Sequence, residues 1–185
     1  MLFVVAVTGG SGSVYARRLL EELKRAGHET LLLMSDEAKN VMEHENEDPK
    51  RFMELASRTF SEHDLDSPTS SGSVTTAGMI VIPCSMKTIA SITHGISSNA
   101  ITRAADVTLK ERRPLILVPR ETPLSIIHLR NLLHVAEAGA IVLPAMPAFY
   151  TNPKSIDDMV NFIVGRILDL LNVPHKLFRR WGETD

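Results

Sequence analysis

Leu2-Phe3-Val4-Val5-Ala6-Val7-Thr8-Gly9-Gly10-Ser11-Gly12 is the stretch that decides the fold. An unbroken apolar run has no polar face to offer solvent, so it reads as a strand covered on both sides of a parallel sheet. Thr8 to Gly12 then breaks the strand. A helix is expected from Val14 to Ala26, with Leu19, Leu20 and Leu23 on its buried face and Gly27 in the place of a C-cap glycine.

The same alternation continues along the chain. Thr30 to Met34 reads as a second strand, and a helix follows from Asp36. From Glu47 to Ser73 the sequence is polar and weakly periodic, with a short helix near Lys50–Ala56 and an irregular stretch after it. Met79 to Ile82 is another buried strand, ending at Pro83. Asn99 to Arg113 predicts a helix, Leu115 to Val118 a strand, Leu124 to Ala138 a helix, Ile141 to Leu143 a strand, and Ser155 to Leu171 a closing helix. Strands alternating with helices imply an α/β fold, an open parallel sheet with helices on both faces. Ligands in such sheets bind at the carboxyl ends of the strands. The segments to inspect are therefore Thr8–Ser13, Ser35, Pro83–Thr88, Pro119–Pro123 and Pro144–Tyr150.

Bulk properties narrow the classes. The chain has 185 residues, 44% of them hydrophobic, which suits one domain. A formal charge of −2 argues against a general nucleic-acid binder. One cysteine, Cys84, cannot form an internal disulfide, which fits a reducing compartment. The apolar N-terminus is too short for a secretory signal, and no stretch has the length to span a membrane, so a cytoplasmic globular protein is expected. The histidines show no metal-ligand spacing, so no metal is expected.

Several residues invite chemistry, each with a plainer alternative. Gly9, Gly10, Ser11 and Gly12 let a phosphate or flavin approach backbone N–H groups, or form a tight turn. In Pro83-Cys84-Ser85-Met86-Lys87-Thr88, Ser85 is a helix N-cap, a ligand contact, or both. Arg103 and Lys110 lie about two turns apart on one helix face, with Asp106 placed to pair with Arg103. Arg120 and Glu121 arrive at a strand end between two prolines. Arg166 falls in the spacing of an apolar stripe with Met159, Ile163 and Leu170, where it must snorkel, pair with an acid or meet an anion, the plainer alternative being a salt bridge at a subunit interface. Tyr150 is placed to donate to the same anion.

Thr8–Gly12, Pro83–Thr88, Arg103–Val107 with Leu109–Arg113, Val118–Leu124, His128-Leu129, Pro144–Tyr150 and Arg180–Glu183 occur in order along the chain. Together they resemble the UbiX-like flavin prenyltransferases. The resemblance implies a single-domain Rossmann-like (flavodoxin-like) FMN-binding domain over 1–185, with 155–185 at subunit interfaces of a homo-oligomer, a dodecamer. It implies a metal-independent transferase joining a dimethylallyl group from dimethylallyl phosphate to N5 and C6 of reduced FMN, to give prenylated FMN for UbiD-like decarboxylases. It assigns FMN contacts to Gly9, Gly10, Ser11, Ser35, Ser85, Met86, Lys87, Thr88 and Arg103. The phosphate clamp falls to Arg103, Lys110, Arg120, Glu121, Tyr150 and Arg166, and catalytic roles to Glu121, Ser11 and Glu45. The family usually carries alanine where this chain has Gly10, and some members a tryptophan where it has Leu65. Two rivals share the flavin but not the reaction. One is a flavin-dependent cysteine decarboxylase of related fold, the other a flavin carrier without catalysis.

Overall fold

The computed structural model describes residues 1–182. Six strands form one sheet: β1 (Leu2–Val7), β2 (Glu29–Met34), β3 (Arg58–Ser61), β4 (Gly78–Cys84), β5 (Leu115–Pro119) and β6 (Ile141–Val142). They run in the order β3-β2-β1-β4-β5-β6, and every pairing is parallel. This is the strand order of a Rossmann sheet. Without the edge strand β3 it would be the flavodoxin order.

Alternation on the strands separates two cores. Phe3, Val5, Val7, Leu32, Met34, Ile80, Ile82, Ile116 and Val118 face one side. Helices α1 (Ser13–Arg25), α2 (Asp36–His44), α3 (Pro49–Leu55) and α7 (Ile156–Leu170) cover it with Leu19, Leu20, Met42, Phe52, Ile163 and Ile167. Val4, Ala6, Leu33, Met79, Val81, Leu115 and Leu117 face the other side. There α4 (Met86–Thr93), α5 (Ala100–Lys110) and α6 (Ile126–Glu137) supply Ile89, Ile92, Ile101, Ala105 and Val135. Both faces being covered is the physical reason the strands read as continuous apolar runs.

The helix ends follow local chemistry. Gly27, at φ 74°, closes α1 in a Schellman motif, with His28 N–H donating to the Leu23 carbonyl and Gly27 N–H to that of Lys24. Ser35, Ser85, Asn99, Ser125 and Ser155 cap α2, α4, α5, α6 and α7 through their side chains. Gly12, at the start of α1, has no side chain for this.

Two expectations need correction. The stretch 47–73 is not irregular throughout: Arg58-Thr59-Phe60-Ser61 pairs with β2. It was not legible because a four-residue edge strand alternates with no apolar run. Nor does the fourth strand stop at Pro83. β4 continues to Cys84 through a register irregularity against β5 between Val81 and Cys84, the device by which a central strand tolerates proline. Thr8 bridges the irregularity. Its N–H and its hydroxyl both donate to the Pro83 carbonyl, and its hydroxyl oxygen accepts from Ser85 N–H at 2.8 Å.

Candidate active site

The strand order reverses between β1, which continues outward to β2, and β4, which continues to β5. A crevice opens at such a switch point, beyond the strand ends. Thr8–Gly12 and Ser85–Thr88 are the two lips of this crevice.

On one side of the glycine turn lies a cleft of about 250 Å³, lined by Thr8, Gly9, Ser35, Glu37, Glu62, Ser85, Lys87, Thr88, Asn99 and Thr102 among others. The N-caps of three helices, Ser35, Ser85 and Asn99, converge here. Each helix start adds a partial positive charge and free N–H groups, which suits a phosphate. Gly9 has no room for a side chain, since a Cβ there would lie 2.8 Å from that of Glu37. Glu62 ties the rim together, accepting from Asn99 Nδ2 at 2.6 Å and from Asp36 N–H at 2.8 Å.

On the other side lies a cavity of about 750 Å³ lined by Ser11, Gly12, Tyr15, His44, Glu45, Arg120, Ile156 and Met159, with four further residues. Glu45, just past the end of α2, supplies the cap that Gly12 cannot. Its carboxylate accepts from Ser11 Oγ at 2.7 Å, Gly12 N–H at 2.6 Å, Ser13 N–H at 2.8 Å, and Ser13 Oγ. Burial resists its ionisation, but the hydroxyls of Ser13 and Ser11 and the two amides outweigh burial and hold the carboxyl below its ordinary pKa. Burial raises the Tyr15 phenol, and nearby Arg120 offsets part of that rise. Arg120 Nε reaches the Ser11 carbonyl at 3.4 Å.

The geometry is that of a ligand with an anionic end at three helix starts and a reactive end beside a serine–carboxylate pair. A family model described as Flavoprotein matches residues 2–168. Flavin prenyltransferase UbiX of Thermoplasma acidophilum is 50% identical over 182 residues, covering 98% of this chain and 100% of the relative. The chain belongs to the UbiX family of flavin prenyltransferases. Among solved UbiX structures, AnUbiX in complex with FMN and dimethylallyl pyrophosphate superposes with a TM-score of 0.96 at 45% identity, over 100% of this chain and 98% of that one. The dodecameric FMN-dependent UbiX-like decarboxylase of Escherichia coli O157:H7 also gives 0.96, at 44% identity over 99% and 100%.

The sequence-predicted residues of this UbiX chain fall into separate groups. Gly9, Ser35, Ser85, Lys87 and Thr88 line the first cleft. Gly10 is buried, and a Cβ on it would lie 3.3 Å from the Pro83 side chain. The Met86 side chain turns into the core at 8% exposure, and Met86 does not line the cleft. Cys84 is fully buried, and burial pushes its thiol far above its ordinary range, so it is not a nucleophile. Ser11, Glu45 and Arg120 meet in the second cavity.

The remaining clamp residues lie elsewhere. Arg103 pairs with Asp106 at 2.8 Å, as its spacing predicts, and donates to the Ser70 carbonyl. Lys110 pairs with Glu111. Glu121 is exposed and accepts only from Thr122 N–H among the described residues. Arg166 does not lie in an apolar stripe. The buried face of α7 is Val160, Ile163, Val164, Ile167 and Leu168, and Arg166 is exposed, paired with Asp169 at 3.1 Å. Among the described residues no hydrogen bond or ion pair joins Lys110, Arg120, Glu121, Tyr150 and Arg166 to one another. Tyr15, Glu62 and Asn99 were missed by sequence reasoning. Only Asn99 carried a signal, as an N-cap before an apolar run.

Proposed function

We infer that this chain transfers a dimethylallyl group from dimethylallyl phosphate to N5 and C6 of FMN, and that its product is the cofactor of a UbiD-like decarboxylase. The observation that carries this is the Gly9–Ser11 turn, with three helix starts on one side and the Ser11–Glu45 pair on the other.

FMN, bound reduced, supplies an electron-rich acceptor. Its phosphate is assigned to the starts of α2, α4 and α5, where Ser35, Ser85, Thr88 and the backbone at Met86 and Lys87 donate. Glu37 and Glu62 at the rim suit ribityl hydroxyl donors. The Ser11 hydroxyl donates its hydrogen bond to Glu45, so its oxygen lone pairs remain to accept the N5–H and orient that edge. Arg103, Lys110, Arg120 and Arg166, with the Tyr150 hydroxyl, neutralise the phosphate that departs as the allylic C–O bond breaks, which needs no metal. Glu121 receives a proton released as the carbon bonds to the flavin form.

These cations lie apart within one chain, so we assign the completed site to a junction between copies. Ile126, Ile127, Leu129 and Leu133 stand 49–65% exposed along α6, and Phe149, Ile156 and Trp181 are 73–80% exposed. Apolar area on this scale marks protein contact, and a homo-oligomer covers it. Among the described residues no helix is long and apolar enough to cross a membrane. We place the protein in the cytoplasm.

The test is anaerobic incubation with reduced FMN and dimethylallyl phosphate, followed by mass spectrometry of the extracted flavin. A flavin heavier by one five-carbon unit is expected. Unmodified flavin, with FMN bound and the diphosphate also tried, would overturn the assignment.

A further inference from the structure

Beyond α7 the chain turns back along that helix. Residues 174–182 form a strap whose contacts converge on Asp169. The two carboxylate oxygens of Asp169 accept from His175 Nε2 at 3.0 Å, Arg180 Nη2 at 2.8 Å and Nη1 at 3.3 Å, and Arg166 Nη1 at 3.1 Å. The His175 side chain is 2% exposed and that of Asp169 is 19% exposed. Burial resists ionisation of Asp169, but Arg180 and His175 outweigh it and hold the carboxyl below its ordinary pKa.

A second feature lets the strap lie close. Gly165 is buried beneath it, and a Cβ there would meet Phe178 Cε1 at 2.5 Å and His175 Cε1 at 2.7 Å. From this seat a run of rings leads outward. His175 meets Phe178 at 5.4 Å between centroids, Phe178 meets Phe162 at 5.0 Å, Phe162 meets Tyr150 at 6.0 Å, and Tyr150 meets Trp181 at 5.0 Å. Tyr150 and Arg166, the two donors assigned to the donor phosphate from this end of the chain, are thus both fixed through one clasp.

We propose that Asp169 is a positioning residue for the prenyl-donor phosphate: it fastens the 174–182 strap and orients Arg166, while the strap's rings hold Tyr150. The inference rests on the prenyltransferase reading. Among the described residues Arg166 commits only Nη1 to protein, which leaves Nε and Nη2 for a phosphate.

The test uses the full-length, FMN-loaded protein and Asp169→Asn. Trp181 is the only tryptophan, so its fluorescence anisotropy reports on the end of the strap. Asp169→Asn is expected to lower that anisotropy and raise KM for dimethylallyl phosphate about tenfold, about 1.4 kcal/mol. Its kcat should stay within about twofold and its FMN affinity should not change. Gly165→Ala lifts the strap without touching any assigned ligand and is expected to raise KM in the same direction, which covers the case in which Asp169→Asn does not fold. An active wild type whose KM is unmoved by the folded variants overturns this inference alone. A wild type that prenylates no flavin overturns the reading beneath it.

Discussion

Glu45 caps a helix that begins more than thirty residues before it: its carboxylate accepts the amides of Gly12 and Ser13 at 2.6 and 2.8 Å. One side chain thus fastens the start of α1, the end of α2 and the hydroxyl of Ser11. The proposed orientation of Ser11 and the stability of the fold both depend on this group.

Replacing Glu45 with Gln removes the charge that draws these donors together. A loss of about 1–3 kcal/mol is expected at pH 7 from weakened charge-assisted hydrogen bonds. The folded-state pKa of Glu45 lies below its unfolded value. Its contribution is therefore present above the unfolded pKa and is lost as pH falls through the folded one. Urea midpoints of wild type and Glu45→Gln should converge as the pH is lowered from 7 to 3. A gap that does not narrow as the pH falls below the ordinary carboxylate pKa would contradict this account.

Glu121→Gln should keep FMN bound yet form no prenylated product, because the amide cannot take up a proton. Flavin absorbance of the purified protein and mass analysis of the extract separate the two effects. Full product formation would remove Glu121 from the mechanism.

Ser85 and Ser125 cap α4 and α6 in the same way, but only Ser85 lines the cleft. Alanine at either position should cost about 1 kcal/mol of stability. Only Ser85→Ala should weaken FMN binding, as read by titration of the apoprotein. Equal effects on FMN would contradict the placement of the phosphate.

The two glycines of the turn should differ. A Cβ on Gly9 meets the Glu37 Cβ at 2.8 Å, whereas one on Gly10 meets the Pro83 ring at 3.3 Å, where a shift of a few tenths of an ångström suffices. Gly10→Ala should retain FMN at full stoichiometry, and Gly9→Ala should lose most of it. The flavin-to-protein ratio after purification decides.

Metal removal should have no effect on the wild type. Asp36, Glu62 and His63 form the one group among the described residues with cation-binding spacing. Lys39 already sits 3.0 Å from Asp36, and Asn99 and Asp36 N–H already occupy Glu62. Prenyl transfer measured with and without EDTA should be equal. A loss restored by a divalent ion would overturn the metal-free clamp.

The sequence by itself determined the sheet's central strands, most of the helices, and the caps at Gly27 and Ser85. β1, β4 and β5 are apolar on both faces, and that property needs only neighbouring residues to be seen. The pairing of Arg103 with Asp106 was legible for the same reason, since residues three apart share a helix face. Only the tertiary structure decided the rest. β3 exists because β2 offers it an edge, not because Arg58–Ser61 favours a strand. Pro83 stays inside a central strand because Thr8, just past the end of β1, donates to its carbonyl and accepts from Ser85 N–H. Glu45 reaches α1, and the 174–182 strap reaches Asp169, only once the chain has closed on itself. Hydrophobic period is written between adjacent residues, whereas a hydrogen bond across a closed loop depends on where the whole chain has come to rest.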